Sequence, residues 1–318
     1  MKALVRDRYG DPDILRVEDV EQPTLEDDRV LVRVRASSVN KADWYQLIGR
    51  PRLIRPMMGG IFKPGSRQIG TDFAGVVEAV GKDVEDIAVG DEVFGGRDGA
   101  YAEYVTAKTF ARKPANVSFE STAAVPIAGL TALQALRDQA GLREGERVLV
   151  NGASGGVGTM TVQIAKAFGA HVTAVCSTRN VEQARALGAD RVVDYTQEDF
   201  TRTNERYDIV IDVVGSRSWR KLRRVLAPGA RAVIVGAPSG TPVLGPLAHI
   251  LATKLASRGN ARFFVAKFNA PDLEILAGLL ADGDLTPVID HTYELADAPE
   301  ALRTFGEGHV RGKLVLTI

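Results

Sequence analysis

The stretch Val148-Leu149-Val150-Asn151-Gly152-Ala153-Ser154-Gly155-Gly156-Val157-Gly158 decides how this chain folds. Three apolar residues run into a cluster of glycines, and Val162, Ile164, Ala165 and Phe168 follow as the apolar positions of a helix. A strand, a glycine turn and a helix in that order predict a βαβ unit of a parallel sheet. Against the pattern G-x-G-x-x-G, Ala153 stands first, Gly155 second and Gly158 third. A glycine at the second position lets the backbone approach a pyrophosphate, and one at the third lets the helix pack closely on the strand. The unpaired N–H groups and positive dipole end of the helix N-terminus favour an anion there. Ala153, Ser154, Gly155, Gly156, Val157 and Gly158 are therefore the expected cradle of a dinucleotide. A plain glycine-rich turn is the alternative, and the flanking strand and helix argue against it.

Outward from this loop the same alternation continues. His171–Cys176, Arg191–Asp194, Asp208–Val214 and Ala232–Gly236 have the texture of strands, and Val181–Leu187 and Ser218–Leu226 that of helices. The first hundred residues are β-rich instead, with short runs at Met1–Val5, Arg29–Ala36, Asp72–Val80 and Asp91–Gly95. Ser118, with Glu120 and Ser121, is expected to open a helix that continues through Thr131 to Leu136. The tail is mixed, with a helix at Asp272–Ala281 and a last strand at Lys313–Ile318. The fold class is α/β. A doubly wound domain, residues 119–261, is expected to be inserted between residues 1–118 and 262–318 of a β-rich domain.

Composition excludes several classes. The 318 residues suffice for one large domain or two modest ones, and 45% hydrophobic with 25% charged residues is a globular balance. Forty basic residues face forty acidic ones, so no net field draws the chain to nucleic acid or an anionic membrane. Cys176 is the single cysteine and rules out an internal disulfide; His171, His249, His291 and His309 share no ligand spacing, so no metal is expected. Arg6, Asp7 and Arg8 interrupt any apolar leader. The uncharged run Ala232–Thr253 contains Pro238, Pro242 and Pro246 and is read as a strand followed by a loop, not a membrane span. The expected location is a reducing cytoplasm.

The choice of cofactor comes from the end of the second strand. His171–Cys176 is followed by Ser177-Thr178-Arg179-Asn180, with no carboxylate where one would bind a ribose 2′-hydroxyl. Ser177 offers a hydroxyl and Arg179 a planar charged fork, a pair suited to a 2′-phosphate. NADPH is the expected cofactor. A solvated loop arginine is the alternative for Arg179, and core packing is the expected role of Cys176.

Several further segments carry a family likeness. Val39-Asn-Lys-Ala-Asp43, Gly70-Thr-Asp-Phe-Ala-Gly-Val-Val-Glu-Ala-Val-Gly81, Val89-Gly-Asp-Glu-Val-Phe, Pro126-Ile-Ala-Gly-Leu-Thr-Ala132, Val193-Asp-Tyr195 and Arg262–Phe268 span nearly the whole chain. Together with the glycine loop they resemble the medium-chain dehydrogenase/reductase superfamily, and within it the zinc-independent quinone oxidoreductase (zeta-crystallin-like) branch. The resemblance implies a GroES-like β domain, an inserted Rossmann domain and a homodimer. Zinc-dependent members place a cysteine where Asn40 stands and a His-Glu pair where Thr71-Asp72 stands, and they carry a four-cysteine lobe that this chain lacks.

The same resemblance implies the chemistry. Without a Lewis acid the acceptor should already be electrophilic, as a quinone or an α,β-unsaturated ketone is. Asn40 is expected to face the nicotinamide end and donate through its amide, with a backbone-bonding turn residue as the alternative. Asp43 is expected to orient its loop, Tyr45 to donate a proton or wall the pocket, and Trp44 to offer a stacking surface. Thr131 would lie under the cofactor or cap its own helix, and Tyr195 would stand beside the adenosine phosphate. Val213, Val214, Gly236 and Ala237 end later strands and would line the ligand crevice. Phe264 and Val265 would present backbone groups to the carboxamide, or form an edge strand. Lys313 is expected to be a solvated lysine rather than a phosphate ligand. Apart from the resemblance, the basic, Pro- and Met-rich composition of the loop from Gly49 to Pro64, with Arg50, Arg52 and Arg55, suits a cover over the substrate cleft, with a solvated loop as the alternative. An enoyl-thioester reductase and an NADPH-binding protein with a structural or regulatory role are the competing functions.

Overall fold

The computed structural model describes residues 1–236, 247–257, 260–308 and 310–318. The chain forms two compact units. The first comprises Met1–Leu130, Phe268–Gly283 and Pro287–Ile318, and the second Thr131–Lys267 with Asp284–Thr286.

The first unit is β-rich, as the GroES-like expectation requires. Its N-terminal part holds β1 (Lys2–Val5), β2 (Arg16–Asp19), β3 (Val30–Ser38), α1 (Lys41–Ile48), β4 (Asp72–Val80), β5 (Glu92–Gly96), β6 (Tyr104–Ala107), β7 (Phe110–Arg112) and α2 (Phe119–Ala123). Ser118 caps α2, its hydroxyl accepting from the Ser121 N–H at 3.2 Å. The helix then breaks and restarts as α3 (Pro126–Gln134), which widens into a π turn over Ala135–Ala140. This interrupted path replaces the one continuous helix expected from the sequence.

In the second unit follow β8 (Arg147–Asn151), α4 (Gly156–Ala167), β9 (His171–Cys176), α5 (Val181–Ala186), β10 (Arg191–Asp194), β11 (Tyr207–Asp212), α6 (Trp219–Leu222), β12 (Leu226–Ile234), α7 (Leu247–Ser257) and β13 (Ala261–Phe263). The chain closes in the first unit with α8 (Ala270–Asp282), β14 (Ile289–Glu294), α9 (Ala298–Glu307) and β15 (Lys313–Thr317).

The second unit is a six-stranded parallel sheet in the order β10-β9-β8-β11-β12-β13. Its first strand lies inside the sheet, and the chain reverses its lateral direction between β8 and β11. The carboxyl ends of strands at such a reversal form the ligand crevice of doubly wound sheets. Val148, Leu149 and Val150 are fully buried, since a parallel strand has both faces covered and reads as an unbroken apolar run. In the first unit the order is β14-β15-β3-β4-β5-β7, with β6 also on β3. Leu4, Leu47, Ile69, Tyr101, Leu302, Leu314 and Leu316 pack together in its core.

Three local expectations need correction. The turn given as the alternative for Asn40 is the start of a helix; Asn40 is the N-cap of α1, whose Leu47 is buried in the core. The run after Ala232 is not strand and loop alone, because Leu247–Ser257 is the helix α7; residues 237–246 lie outside the described residues. Arg262 stands inside β13, which pairs with β12 at the edge of the parallel sheet, and the second compact unit extends to Lys267. Among the described residues no helix is long and apolar enough to cross a membrane.

Candidate active site

The glycine loop is built by two contacts that exclude side chains and one that leaves room. Gly152 sits at φ +89°, a left-handed conformation that favours glycine, and its N–H and that of Ala153 both donate to the Val175 carbonyl at 3.1 Å. A Cβ on Gly158 would lie 2.0 Å from the Gly152 oxygen and 2.8 Å from Ala153 Cα, so α4 touches the loop backbone itself. Gly155, the N-cap of α4, is different: a Cβ there meets nothing within 4 Å. The second glycine therefore faces open space at the end of the helix where the first-turn N–H groups lack intrahelical acceptors. Ala153 is buried beneath, while Ser154, Gly156 and Val157 are half-buried. These residues fit a pyrophosphate.

The later strands end beside it. Asp212, fully buried at the end of β11, accepts from Asn151 Nδ2 and from the Gly215 N–H, each at 2.8 Å. Val213 N–H donates to the Asn151 carbonyl at 3.0 Å, so the ends of β8 and β11 are tied together at the reversal. Sequence reading missed Asn151 and Asp212; the signal was a polar residue closing each of two apolar strands. Val213 is half-buried and Val214 exposed, and the Gly236 N–H donates to the Asp212 carbonyl at 3.3 Å. Ala237 lies outside the described residues, as does His309. Phe264 is half-buried just past β13, and Val265 is exposed. Thr131 is half-buried inside α3, so it does not cap that helix.

At the end of β9, Ser177 Oγ accepts from Asn180 Nδ2 at 3.1 Å, which leaves the hydroxyl hydrogen to donate, and Arg179 is exposed. Parallel pairing sets Asp194 of β10 opposite Cys176, so a carboxylate does stand near this strand end, supplied by the neighbouring strand. It accepts from Thr178 Oγ1 at 2.6 Å and from the Thr196 N–H at 2.9 Å, and these bonds, Thr178 first, hold its pKa below the usual aspartate range. Tyr195 beside it is exposed, with its N–H donating to the Cys176 carbonyl at 3.0 Å. Burial pushes the Cys176 thiol up to about 11, which keeps it protonated and unreactive, in keeping with a core role.

In the first unit the segment after β3 belongs to a buried polar cluster. Asp43, at the third position of α1, is fully buried and accepts from the Asn40 N–H at 2.8 Å, Thr71 Oγ1 at 2.8 Å and Tyr101 Oη at 2.9 Å. Asp72, also fully buried, accepts from Ser38 Oγ at 2.9 Å, Asn40 Nδ2 at 2.8 Å and the Ile127 N–H at 3.0 Å. Asn40 donates its second amide hydrogen to the Ser38 carbonyl at 3.2 Å and accepts from Lys313 Nζ at 2.5 Å. Lys313 is only 3% exposed and lies 3.6 Å from Asp72 Oδ2, so it is not the solvated lysine expected from sequence. Both amide hydrogens of Asn40 are committed within the protein, so its observed partners are not those of a donor to nicotinamide. Burial, then the Asp72 charge, raises Asp43 to about 6, and burial raises Asp72 against the opposing pull of Lys313. Tyr45 is half-buried on α1 outside this cluster, its ring 5.7 Å from Lys41 Nζ, and burial raises its pKa. Trp44 is half-buried against the core of the first unit.

Residues 26–115 match the alcohol dehydrogenase GroES-like domain, and residues 187–316 match a zinc-binding dehydrogenase domain. Mouse NAD(P)H oxidoreductase RTN4IP1, mitochondrial, is 32% identical over an alignment covering 100% of this chain and 89% of its own length. The chain belongs to the medium-chain dehydrogenase/reductase superfamily. Within that superfamily it stands in the quinone oxidoreductase branch and is an oxidoreductase. Tomato 2-methylene-furan-3-one reductase is 33% identical, covering 99% of this chain and 79% of its own. The crystal structure of Escherichia coli quinone oxidoreductase complexed with NADPH superposes with a TM-score of 0.84 at 26% identity, over 100% of both chains.

The name of one matched domain implies zinc, and the residues present do not fit it. Where the zinc-dependent members of the superfamily have cysteine, histidine and glutamate, this chain has an amide, a hydroxyl and an aspartate, each engaged in the bonds above, with an ammonium among them. Tetrahedral zinc takes thiolate, imidazole and carboxylate ligands and is repelled by a cation. Among the described residues no group of three His, Cys, Asp or Glu is placed to hold a metal ion.

Proposed function

We propose that this protein is an NADPH-dependent oxidoreductase that reduces quinones or α,β-unsaturated ketones without a metal. The observation that carries the reading is the open space at Gly155 on the N-terminus of α4, next to a loop too tight for any other side chain at Gly158. The residues from Ala153 to Gly158 would hold the pyrophosphate, Ser177 and Arg179 the 2′-phosphate, Tyr195 the adenosine side, and Thr131, Val213, Val214, Gly236, Ala237, Phe264 and Val265 the nicotinamide half. When bound, the reduced nicotinamide supplies a hydride. The chain's own residues orient the acceptor and deliver a proton. Asn40 and Asp43 pin the first turn of α1, and Tyr45, a phenol that is protonated at neutral pH and whose pKa burial raises further, is the hydroxyl on that helix that hands its proton to the reduced oxygen. A donor set that suits an ammonium rather than a dication suits an acceptor already electrophilic enough to take hydride. The basic loop from Gly49 to Pro64, which carries an 87% exposed Phe62, is proposed as the cover of the acceptor. The homodimer and the cytoplasmic location belong to the same proposal: Leu255 and Val265 are exposed apolar side chains suited to an interface, and the one cysteine is buried.

Arg179→Ala is the direct test of the cofactor assignment. Losing a charged fork on a phosphate removes about 1.5–3 kcal/mol, so NADPH affinity should fall roughly 10–100-fold. NADH affinity should change little, since it carries no 2′-phosphate. Calorimetric titration of both cofactors checks this, and equal losses for the two would remove Arg179 from the phosphate site. Turnover with naphthoquinone and simple enones is expected; turnover confined to crotonyl-CoA would point to an enoyl-thioester reductase instead.

A further inference from the structure

Lys313 is the feature that the proposed chemistry does not consume. It opens β15, whose antiparallel register on β3 sets Val315 opposite Ser38, and the Val39 N–H donates to the Leu314 carbonyl at 2.9 Å. This brings the lysine to the end of β3, where Asn40 caps α1 and where Ser38 pairs with Asp72 of β4. Its ammonium donates to Asn40 Oδ1 at 2.5 Å and faces Asp72 Oδ2 at 3.6 Å. Each of these three side chains is at least 95% buried.

We propose that Lys313 is a positioning residue, an internal cation that holds Asn40 and Asp72 at the place where zinc-dependent members of the superfamily carry metal ligands. Complementary bonds fix the amide of Asn40. The lysine can only donate and so takes the oxygen, while Asp72 and the Ser38 carbonyl can only accept and so take the Nδ2 hydrogens. The amide therefore has one orientation, and through it the first turn of α1, with Tyr45 one turn further on, is held in place. The ammonium also offsets the charge of a buried carboxylate, which its three hydrogen bonds alone would leave without a counter-ion. An ion pair of this kind is closed within the protein and leaves no open coordination site.

The kinetic consequence rests on the proposed roles of Tyr45 and NADPH; the consequences for folding and metal content do not. Lys313→Met keeps an unbranched side chain one atom shorter and removes its charge. It should lower the melting temperature by on the order of 10 °C, and adding Asp72→Asn should recover at least half of that loss. At a temperature below both transitions the double variant should keep its KM for NADPH within about twofold and lose about tenfold or more in kcat, because the amide of Asn40 no longer has its cation. Wild-type protein dialysed against zinc should retain none in stoichiometric amount. An unshifted melting temperature in Lys313→Met, a wild-type kcat in the double variant, or one tightly held zinc per chain would each overturn the proposal. Absence of NADPH oxidation by the wild type would remove the proposed function alone, leaving the melting and zinc results to decide the role of Lys313.

Discussion

Gly158→Val is expected to abolish nucleotide binding and to destabilise the parallel-sheet unit by about 3 kcal/mol. The reason is distance. Even the first carbon of a side chain would lie 2.0 Å from the Gly152 oxygen, and that atom belongs to the backbone of the loop, so it cannot swing aside. Relief requires α4 to move off the sheet, which carries with it the N–H groups proposed to bind the phosphates. Gly155→Ala separates the two roles of the glycines. Its Cβ enters open space, so the melting temperature should stay within a degree or two of the wild type (roughly 0.5 kcal/mol). The same methyl group stands where a pyrophosphate would approach, so NADPH affinity should fall about tenfold or more. Denaturant melts and cofactor titrations on the two variants check this. A Gly155→Ala protein that binds NADPH as well as wild type would take the pyrophosphate away from this loop.

The second large effect concerns Asp43 and has a sign fixed by its burial. Its folded-state pKa, about 6, lies above the ordinary aspartate value of 3.8, because desolvation and the Asp72 charge disfavour the ionised form. The folded protein therefore holds this proton more tightly than the unfolded chain does. The associated stability is full below about pH 4 and is lost as pH rises through about 6; at about 1.4 kcal/mol for each tenfold difference in proton affinity it amounts to about 3 kcal/mol. Asp43→Asn cannot titrate. Its amide oxygen can take the place of the carboxylate oxygen that the Asn40 N–H and the Tyr101 hydroxyl bond, and its N–H₂ then faces Thr71 Oγ1, which must accept instead of donate; exchanging charge-assisted bonds for neutral ones costs about 1–2 kcal/mol. The variant should thus be less stable than wild type at pH 4, with a gap that narrows by about 3 kcal/mol toward pH 7. Taking the difference between the two proteins cancels the titrating groups that do not interact with Asp43; Asp72, Lys313 and Tyr101 do interact with it and contribute to the difference. A gap that stays constant with pH would show that Asp43 has the same affinity for protons folded and unfolded.

How much of this was legible in the sequence depends on how local the cause is. Val148–Asn151 and the helix after Gly155 could be read because a strand covered on both faces is an unbroken apolar run and a tight turn needs glycine. Asp72–Val80, His171–Cys176 and Arg191–Asp194 also form strands at the expected bounds. Helix α1 was hidden because only Asp43 and Leu47 of its eight residues are buried, too few to set a period, and Leu47 packs into a core drawn from distant segments. Lys313 looked solvated because its burial depends on Asn40, 273 residues away in sequence, and on Asp72. Asp194 escaped attention as a neighbour of the Ser177–Arg179 segment because it is brought there by strand pairing, not by sequence spacing. The roles that rest on residue type within one segment could be anticipated; those created by register between strands could not.

The most direct measurement tracks a label. NADPH deuterated at the transferable position of the nicotinamide is incubated with the protein and a simple enone, and the saturated ketone is examined by NMR. Direct hydride transfer predicts deuterium on the β-carbon of the product, with the α-hydrogen drawn from water or from an exchangeable hydroxyl. A product whose β-carbon carries solvent hydrogen, or a protein that neither binds NADPH nor consumes it with any enone or quinone, would contradict it.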